Sequence, residues 1–174
     1  NNIYAIHEDN HYYIPLYKAS SDFWSGFGVA NRSTNHTADV TIEIYNQAGT
    51  LQSTESETIA AGGQTTFVIG AGAPQDGWVK LTSDEPLSGM NFAAQYINPT
   101  SDYYLSDVPF VSWLSNDLVI PHVAQWANWD TTVYVANGTG AAATVTFTYT
   151  SKTGVASTPY TLIIPAMGSQ AVPV

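Results

Sequence analysis

The sequence of 174 residues has no cysteine and very few positive charges. Without cysteine, the chain cannot form disulfides, thiolate zinc sites, iron–sulfur clusters or cysteine nucleophiles. Only 4 residues are Lys or Arg against 14 Asp or Glu, so the formal charge is 4 − 14 = −10. Four basic side chains cannot neutralise a row of phosphates. We therefore expect no nucleic-acid partner and no binding to an anionic membrane surface.

Long hydrophobic runs are also missing. No apolar run approaches the roughly 18 residues of a membrane-spanning helix, and no signal peptide is present, so no membrane span is predicted. Charged residues make up 10% of the chain and aromatic residues 13%, a combination that argues against disorder. A weakly charged chain rich in Thr, Asn, Gly and Tyr favours a secreted or cell-surface location.

What the chain does contain is an internal repeat. Ile14-Pro15 recurs as Ile120-Pro121, and Val29-Ala30-Asn31 recurs as Val135-Ala136-Asn137, both at an offset of 106 residues. One residue is then lost and the offset becomes 105. The matches at this second offset include Val40 with Val145, Ile59 with Ile164 and Gly63 with Gly168. Residues related in this way are called counterparts below.

Each copy of the repeat is predicted to form short strands. Val40, Ile42 and Ile44 alternate with more polar residues, which is the pattern of a half-buried strand. The predicted strands are 12–17, 26–31, 39–46, 51–60, 64–69, 77–83 and 87–96 in copy one, and 118–123, 131–137, 144–150, 155–164 and 169–174 in copy two. This spacing predicts an all-β fold of two duplicated immunoglobulin-like antiparallel β-sandwich units, divided into residues 1–100 and 101–174.

Copy two ends before it reaches counterparts of strands 77–83 and 87–96, so it lacks its last two strands. Each missing strand would bring roughly three inward apolar side chains worth about 1.5–3 kcal/mol apiece. Two strands thus represent on the order of 10 kcal/mol, comparable with the net stability of a whole domain. The gap would also leave an unpaired sheet edge. We expect another segment to complete copy two.

Three explanations are open for this gap. The local segment Tyr103–Leu114 is apolar enough to act as a strand, a second molecule can donate a strand by β-augmentation, or the sequence is a truncated piece. The donor segment predicted for the second case consists of Asn2, Ile3, Tyr4, Ala5 and Ile6. The predicted acceptor edge consists of Ser169, Gln170, Ala171, Val172 and Val174. The partner is then another copy of the chain, in a homo-oligomer or polymer.

Several short strings support a family resemblance. They are the Ile-Pro pairs, the aromatic-led loops Phe23-Trp24-Ser25-Gly26 and Trp129-Asp130-Thr131-Thr132, the Val-Ala-Asn strings and, in copy one, Gly77-Trp78-Val79. Together they resemble a tandem β-sandwich repeat of uncharacterised secreted and cell-surface bacterial proteins. The resemblance covers nearly all of copy one and the first two-thirds of copy two. Its motifs are structural, so it implies a fold and no catalytic residues.

One string matches a catalytic motif. His7-Glu8-Asp9-Asn10-His11 has the H-E-x-x-H spacing of zinc proteases, but that chemistry needs a helix that places both imidazoles on one face. Here Asp9-Asn10 favours a turn and the flanking residues are predicted to be extended. We therefore predict no catalytic residues, no metal site and no cofactor.

The leading hypothesis is a non-enzymatic structural subunit of an extracellular assembly, a filament joined by β-strand complementation. The alternative is a carbohydrate- or surface-binding adhesion module, because exposed aromatic side chains such as Trp126 and Trp24 stack on sugars. Three glycosylation sequons begin at Asn31, Asn35 and Asn137. Asn31 and Asn137 are counterparts, so a turn-forming role explains that pair equally well.

Overall fold

The structure, a computed structural model, describes residues 10–69, 76–96, 103–112, 114–120, 123 and 131–174. All the regular structure in these ranges is β-strand, and every strand pair is antiparallel, which confirms the all-β prediction. The strands are β1 (His11–Lys18), β2 (Phe23–Asn31), β3 (Ala38–Asn46), β4 (Leu51–Ile59), β5 (Gln64–Ile69), β6 (Asp76–Ser83), β7 (Leu87–Tyr96), β8 (Tyr103–Pro109), β9 (Thr132–Ala136), β10 (Ala143–Phe147), β11 (Tyr160–Ile164) and β12 (Ser169–Pro173).

The first eight strands, called the N-terminal half, form two four-stranded sheets. Their strand orders are β1-β6-β3-β4 and β5-β2-β7-β8. The alternation along β3 decides which side chains face inward: Val40, Ile42 and Ile44 are at most 2% exposed. They pack with Val79 and Leu81 of β6 in one hydrophobic cluster. The described architecture is therefore that of a β-sandwich with a closed core.

The remaining strands form two two-stranded ribbons, with β10 paired to β11 and β9 paired to β12. These four strands, together with the segment 118–123, are called the C-terminal half. By the offsets, β9, β10, β11 and β12 are the counterparts of β2, β3, β4 and β5. The pairing is conserved as well, since β2 pairs with β5 and β3 with β4.

Turn geometry recurs at the same offsets. Gly49 and Gly154 have positive φ angles of 85° and 83°, and each donates its N–H three residues back, to Asn46 and Ser151 respectively. In the next turn Gly62 has a φ of 65°, and its counterpart Met167 has a φ of 53°. The left-handed conformation at this turn is thus kept even where the residue is not glycine.

Two sequence predictions differ from the structure. The described residues Leu118–Ile120 and Val123 form no strand, although 118–123 was predicted as one. Their counterpart β1 pairs with β6, and among the described residues no strand pairs with this segment in the same way. The predicted strand 155–164 is limited to Tyr160–Ile164, with an isolated bridge between Ala156 and Thr150.

The segment after β7 joins the N-terminal half. β8 pairs with β7 from Tyr96–Tyr103 to Met90–Pro109, and Val111 then bridges to Tyr13 of β1. Tyr103–Leu114 had been considered as a local strand that completes copy two, but its strand extends a sheet of the other half. β8 also lies beyond the predicted boundary at residue 100, so the sheet pairing crosses that division.

The two halves meet at the outer face of the β1-β6-β3-β4 sheet. Trp78 of β6 is fully buried there, stacked between Tyr13 (ring centroids 6.2 Å apart) and Tyr45 (5.0 Å). Its indole Nε1–H donates to the carbonyl oxygen of Met167, 2.6 Å away in the β11–β12 turn. A large apolar side chain is thereby removed from water by the C-terminal half, which fixes the two halves to each other.

Candidate functional site

The inward side chains of the C-terminal half are much less buried than their counterparts. Val40 and Ile42 of β3 are 1% and 2% exposed, whereas Val145 and Phe147 of β10 are only half-buried. Burial also decreases from Ile44, which is 1% exposed, to its counterpart Tyr149, which is 40% exposed. The positions that form a closed core in one half therefore form an open apolar face in the other.

The same contrast holds for β9. Its inward residues Val133 and Val135 are half-buried, while their counterparts Phe27 and Val29 in β2 are each 2% exposed. A few side chains are well covered: Ile164 is fully buried, and Val172 is 7% exposed. The C-terminal half thus has the beginning of a core without the layer that would seal it.

Sheet order explains where the cover is missing. In the N-terminal half β3 pairs with β4 on one side and β6 on the other, and β2 pairs with β5 and β7. Among the described residues, β10 pairs only with β11, and β9 pairs only with β12. The edges without a partner are therefore the edges that β6 and β7 occupy in the complete half.

The segment before β9 carries exposed apolar side chains that match buried ones in β1. Leu118 is 71% exposed and Ile120 48%, but their counterparts Tyr12 and Ile14 are 3% and 0% exposed. Val119 between them is 86% exposed. Three consecutive exposed apolar residues are uncommon on a soluble surface, so this segment is a candidate for a binding surface.

The predicted acceptor edge, Ser169–Val174, is a true edge strand but offers few hydrogen-bond donors. Val174 N–H donates to the Thr131 carbonyl at one end of the β9–β12 ladder, and because direction alternates, Ser169, Ala171 and Pro173 face away from β9. Ser169 N–H already donates to Gln47 O, 3.1 Å away. Proline has no N–H, so the Ala171 N–H is the one main-chain donor of this edge that is left for a further strand.

A proline at this position is a common protection of an edge strand against further pairing. In addition, β12 is the counterpart of β5, which lies at the edge of its sheet in the complete half as well. The described edges that lack a partner here but have one in the N-terminal half are therefore those of β9 and β10. Sequence reasoning could not find this, because strand order is not readable from the repeat alone.

The other predicted site residues are only partly within the described residues. The donor segment, Asn2 to Ile6, and Trp126 lie outside them. Trp24 is half-buried in β2, where its ring packs over Gly26 and uses part of the surface that would stack on a sugar. The glycan-binding alternative therefore stays a prediction, with one of its two aromatic residues engaged inside the protein.

Asn31 has a structural role at the end of β2. It is 3% exposed, and its side-chain Nδ2 donates to the carbonyls of His36, Ile59 and Ala60 at 2.8, 3.1 and 3.2 Å. Its Oδ1 accepts the Ser33 N–H at 2.9 Å. A side chain held in this way closes the loop between β2 and β3.

Asn137, the counterpart of Asn31, makes the corresponding bonds. It is 6% exposed, and its Nδ2 donates to the carbonyls of Ala141, Ile164 and Pro165 at 2.7, 3.4 and 2.9 Å. The amide nitrogen that would carry a glycan is thus occupied at both positions in the folded chain, which favours the turn-forming explanation. Asn35 is exposed, and its glycosylation stays a prediction.

One pocket of about 230 Å³ lies where β9 meets the N-terminal half. Phe23, Lys18 and Tyr134 line it, and the Lys18 amino group sits 4.2 Å from the Phe23 ring centroid and 3.9 Å from the Asp76 carboxylate. Burial, with a smaller effect of the Asp76 charge, raises the pKa of Tyr134. The pocket is below the roughly 300–1,000 Å³ typical of small-molecule sites, and its one cation is already neutralised by a carboxylate.

The histidine of the protease-like string that the structure describes lies in a strand. His11 begins β1 and is exposed, with Nδ1 3.3 Å from Thr82 Oγ1. Within the described residues, no group of three or more His, Cys, Asp or Glu side chains could hold a metal ion. The same part of the chain contains no helix long and apolar enough to cross a membrane.

The fold and the open face together define the class of protein: an all-β protein of antiparallel, sandwich-like sheets. The chain is similar to the crystal structure of Thermotoga maritima 1070, with a TM-score of 0.51 at 10% sequence identity. The similarity covers 61% of this chain and 96% of that one, and at this identity it bears on the fold alone. No protein-family model matches the sequence. No curated protein matches it either.

Proposed function

We propose that the chain is a non-enzymatic structural subunit of an extracellular assembly, in which subunits are joined by β-strand complementation. In this proposal the chain consists of two duplicated immunoglobulin-like units, and the second unit lacks its last two strands. The observation that carries it is the loss of burial at matched positions, from 1% exposed at Ile44 to 40% at its counterpart Tyr149. A face of this kind needs a cover to be stable in water.

The cover comes from a neighbouring subunit. The run Asn2–Ile6 is mostly apolar and contains three residues of high β-propensity, Ile3, Tyr4 and Ile6, as expected of a donated strand. Because donor and acceptor lie on different parts of the chain, the contact is heterologous, and each subunit can bind one neighbour on either side. Repetition of this contact gives a head-to-tail filament.

Charge supports contact at the C-terminal half. The chain carries a formal charge of −10, yet Lys152 is the one charged residue between 131 and 174. Copies of an acidic chain repel one another least where the surface is uncharged. The proposed extracellular location rests on the weakly charged composition rich in Thr, Asn, Gly and Tyr.

The proposal is tested by the mass of the particles in solution. We expect multi-angle light scattering and negative-stain microscopy of the full chain to give oligomers or filaments, and deletion of residues 1–8 to give monomers. A matched control replaces residues 1–8 by eight Gly and Ser residues, which keeps the length but removes the apolar run, and should also be monomeric. If the full-length chain stays monomeric at every concentration and behaves like the chain that lacks residues 1–8, the proposal is overturned.

A further inference from the structure

We infer that the complementing strand binds at the free edge of β10 and takes the place that β6 has in the N-terminal half, and that it is the Asn2–Ile6 run of a second copy. This inference rests on the proposed function and makes it specific. Among the edges that the described residues offer, β12 is the counterpart of an edge strand, whereas β9 and β10 are the counterparts of the central strands β2 and β3. We choose β10 because β6, the neighbour of β3, also pairs with β1, and the counterpart of β1 carries exposed apolar residues that a strand at this edge could reach.

Main-chain directions identify the groups that would pair. The N–H of Asp39 donates to the Asp84 side chain, which lies at the end of β6, so Asp39 faces the β6 side of β3. Every second residue of a strand faces the same side, so Thr41 does too. Their counterparts in β10 are Thr144 and Thr146. The N–H and C=O groups of these two threonines therefore point to the edge of β10 that has no partner strand among the described residues.

A strand bound at this edge would have a second neighbour available. In the N-terminal half β6 pairs with β3 and also with β1. The counterpart of β1 begins at Asp117, and its apolar residues Leu118, Val119 and Ile120 are exposed by 71%, 86% and 48%. These residues have the sequence pattern of a strand but form none. A new central strand would supply the partner that this segment lacks. It would then bury Leu118 and Ile120, as β6 helps to bury their counterparts Tyr12 and Ile14.

The occupant is chosen by its length and chemistry. Nine residues precede Asn10, and about 3.3 Å per residue gives them a reach of roughly 30 Å, well beyond the five residues of β10. β6 turns two apolar side chains, Val79 and Leu81, into the core. In a strand, Asn2–Ile6 likewise presents Tyr4 and Ile6 on one face. Glu8 and Asp9 follow the run, and the single charged side chain of residues 131–174 is the positive Lys152, so β10 itself adds no negative charge to the contact.

A pair of proline variants tests which edge is used. Thr146 of β10 lies directly opposite Thr161 of β11, with the two Oγ1 atoms 3.3 Å apart. Since Thr146 faces the free edge of β10, the N–H of Thr161 faces the opposite edge of the same ribbon. Both Thr146→Pro and Thr161→Pro remove the contact between the two Oγ1 atoms. Thr146→Pro removes an N–H from the free edge of β10, whereas Thr161→Pro removes one from the outer edge of β11. We expect Thr146→Pro to abolish the oligomers and Thr161→Pro to leave their mass distribution unchanged.

The alternatives give different results. Oligomers that persist in Thr146→Pro but disappear in Thr161→Pro would place the contact on β11, which lacks the Glu55 and Glu57 carboxylates of its counterpart β4. Oligomers that persist in both variants but are lost in Ala171→Pro would place it on β12. Either result overturns this inference and leaves the proposed assembly intact, whereas a monomeric full-length chain overturns the proposed function itself.

A second measurement does not depend on how the proline variants fold. The chain that lacks residues 1–8 is mixed with a synthetic peptide of residues 1–9, and amide hydrogen exchange is followed by mass spectrometry. We expect one peptide to bind per chain and to slow exchange at Thr144 to Phe147 and at Leu118 to Ile120 by at least tenfold. A peptide with Tyr4→Pro should give no protection. Protection of neither region, or of β12 alone, would contradict the inference.

Discussion

Tyr17 is a buried residue whose hydroxyl has no hydrogen-bond partner within the part of the chain that the structure describes. Its side chain is fully buried at the end of β1. Burial, followed by the charges of Asp76 and Glu55, raises the pKa of Tyr17 from 10.0 to about 12. The folded protein therefore binds the phenolic proton more tightly than the unfolded chain does.

This pKa shift predicts a loss of stability at high pH. Below pH 10 the phenol is neutral in both states, but between pH 10 and 12 the unfolded chain ionises first, so the free energy of unfolding falls by about 2–3 kcal/mol in total. We expect Tyr17→Phe to remove this part of the pH dependence and to leave stability at pH 7 equal or higher, since an unpaired buried hydroxyl is lost. Urea unfolding at pH 7 and pH 11.5 measures both. An identical pH dependence in the variant would contradict the assignment.

At the scale of the element, the β4–β5 turn and its counterpart, the β11–β12 turn, share a left-handed backbone conformation although the residue differs. Gly62 has a positive φ of 65° with no atom near the position of a Cβ. Met167 adopts the same conformation, with its N–H donated to the Thr139 carbonyl and its own carbonyl accepting from Trp78. These two hydrogen bonds, which fix the backbone on both sides, account for a left-handed methionine at that position.

Two glycines that have equal space but different backbone angles allow a clean test. A Cβ added at Gly62 or at Gly140 would meet no atom within 4 Å, but only Gly62 has a positive φ. We expect Gly62→Ala to lower the free energy of unfolding by about 1 kcal/mol, the cost of a left-handed conformation. Gly140→Ala should leave it unchanged or slightly higher. Chemical unfolding measures both, and equal effects would mean that backbone angle is not the cause.

Element by element, the sequence predicts strands better than it predicts pairing. The alternation of β3 and the strand 87–96 were predicted correctly, because local period-two patterns survive folding wherever a partner exists. The consecutive apolar residues Leu118–Ile120 also predict a strand but form none, since a strand needs a neighbour as well. The partner of β8 and the side of the ribbon left open depend on long-range order, which no local pattern encodes.

At the scale of the whole molecule, Trp78 joins the halves. Gly77-Trp78-Val79 was predicted to lie in a strand, but the sequence does not indicate that the Trp78 indole lies on the face of the sheet away from the sandwich core. Its place between two tyrosines and its bond to the Met167 carbonyl could be found only in the structure. This bond and the bond from the Ser169 N–H to the Gln47 carbonyl both link the N-terminal half to the C-terminal half.

Removal of the indole N–H is predicted to loosen the C-terminal half selectively. Trp78→Phe keeps an aromatic ring but leaves the Met167 carbonyl without this donor, a cost of about 1–3 kcal/mol. We expect faster amide exchange in β9 and β12 and little change in β3. Tyr45→Phe is the control, because it keeps the ring stacked on Trp78 and loses only a hydroxyl bond to Glu43. An equal acceleration in both halves would contradict a local role.

The close approach of the two halves has a mechanical consequence. A Cβ at Gly49, in the β3–β4 turn, would overlap the carbonyl oxygen of Ala166. Together with the buried Trp78 indole, this backbone contact restricts rotation of one half relative to the other. In a fibre of such units each subunit would behave as a stiff rod, and bending would be concentrated at the joints between successive molecules.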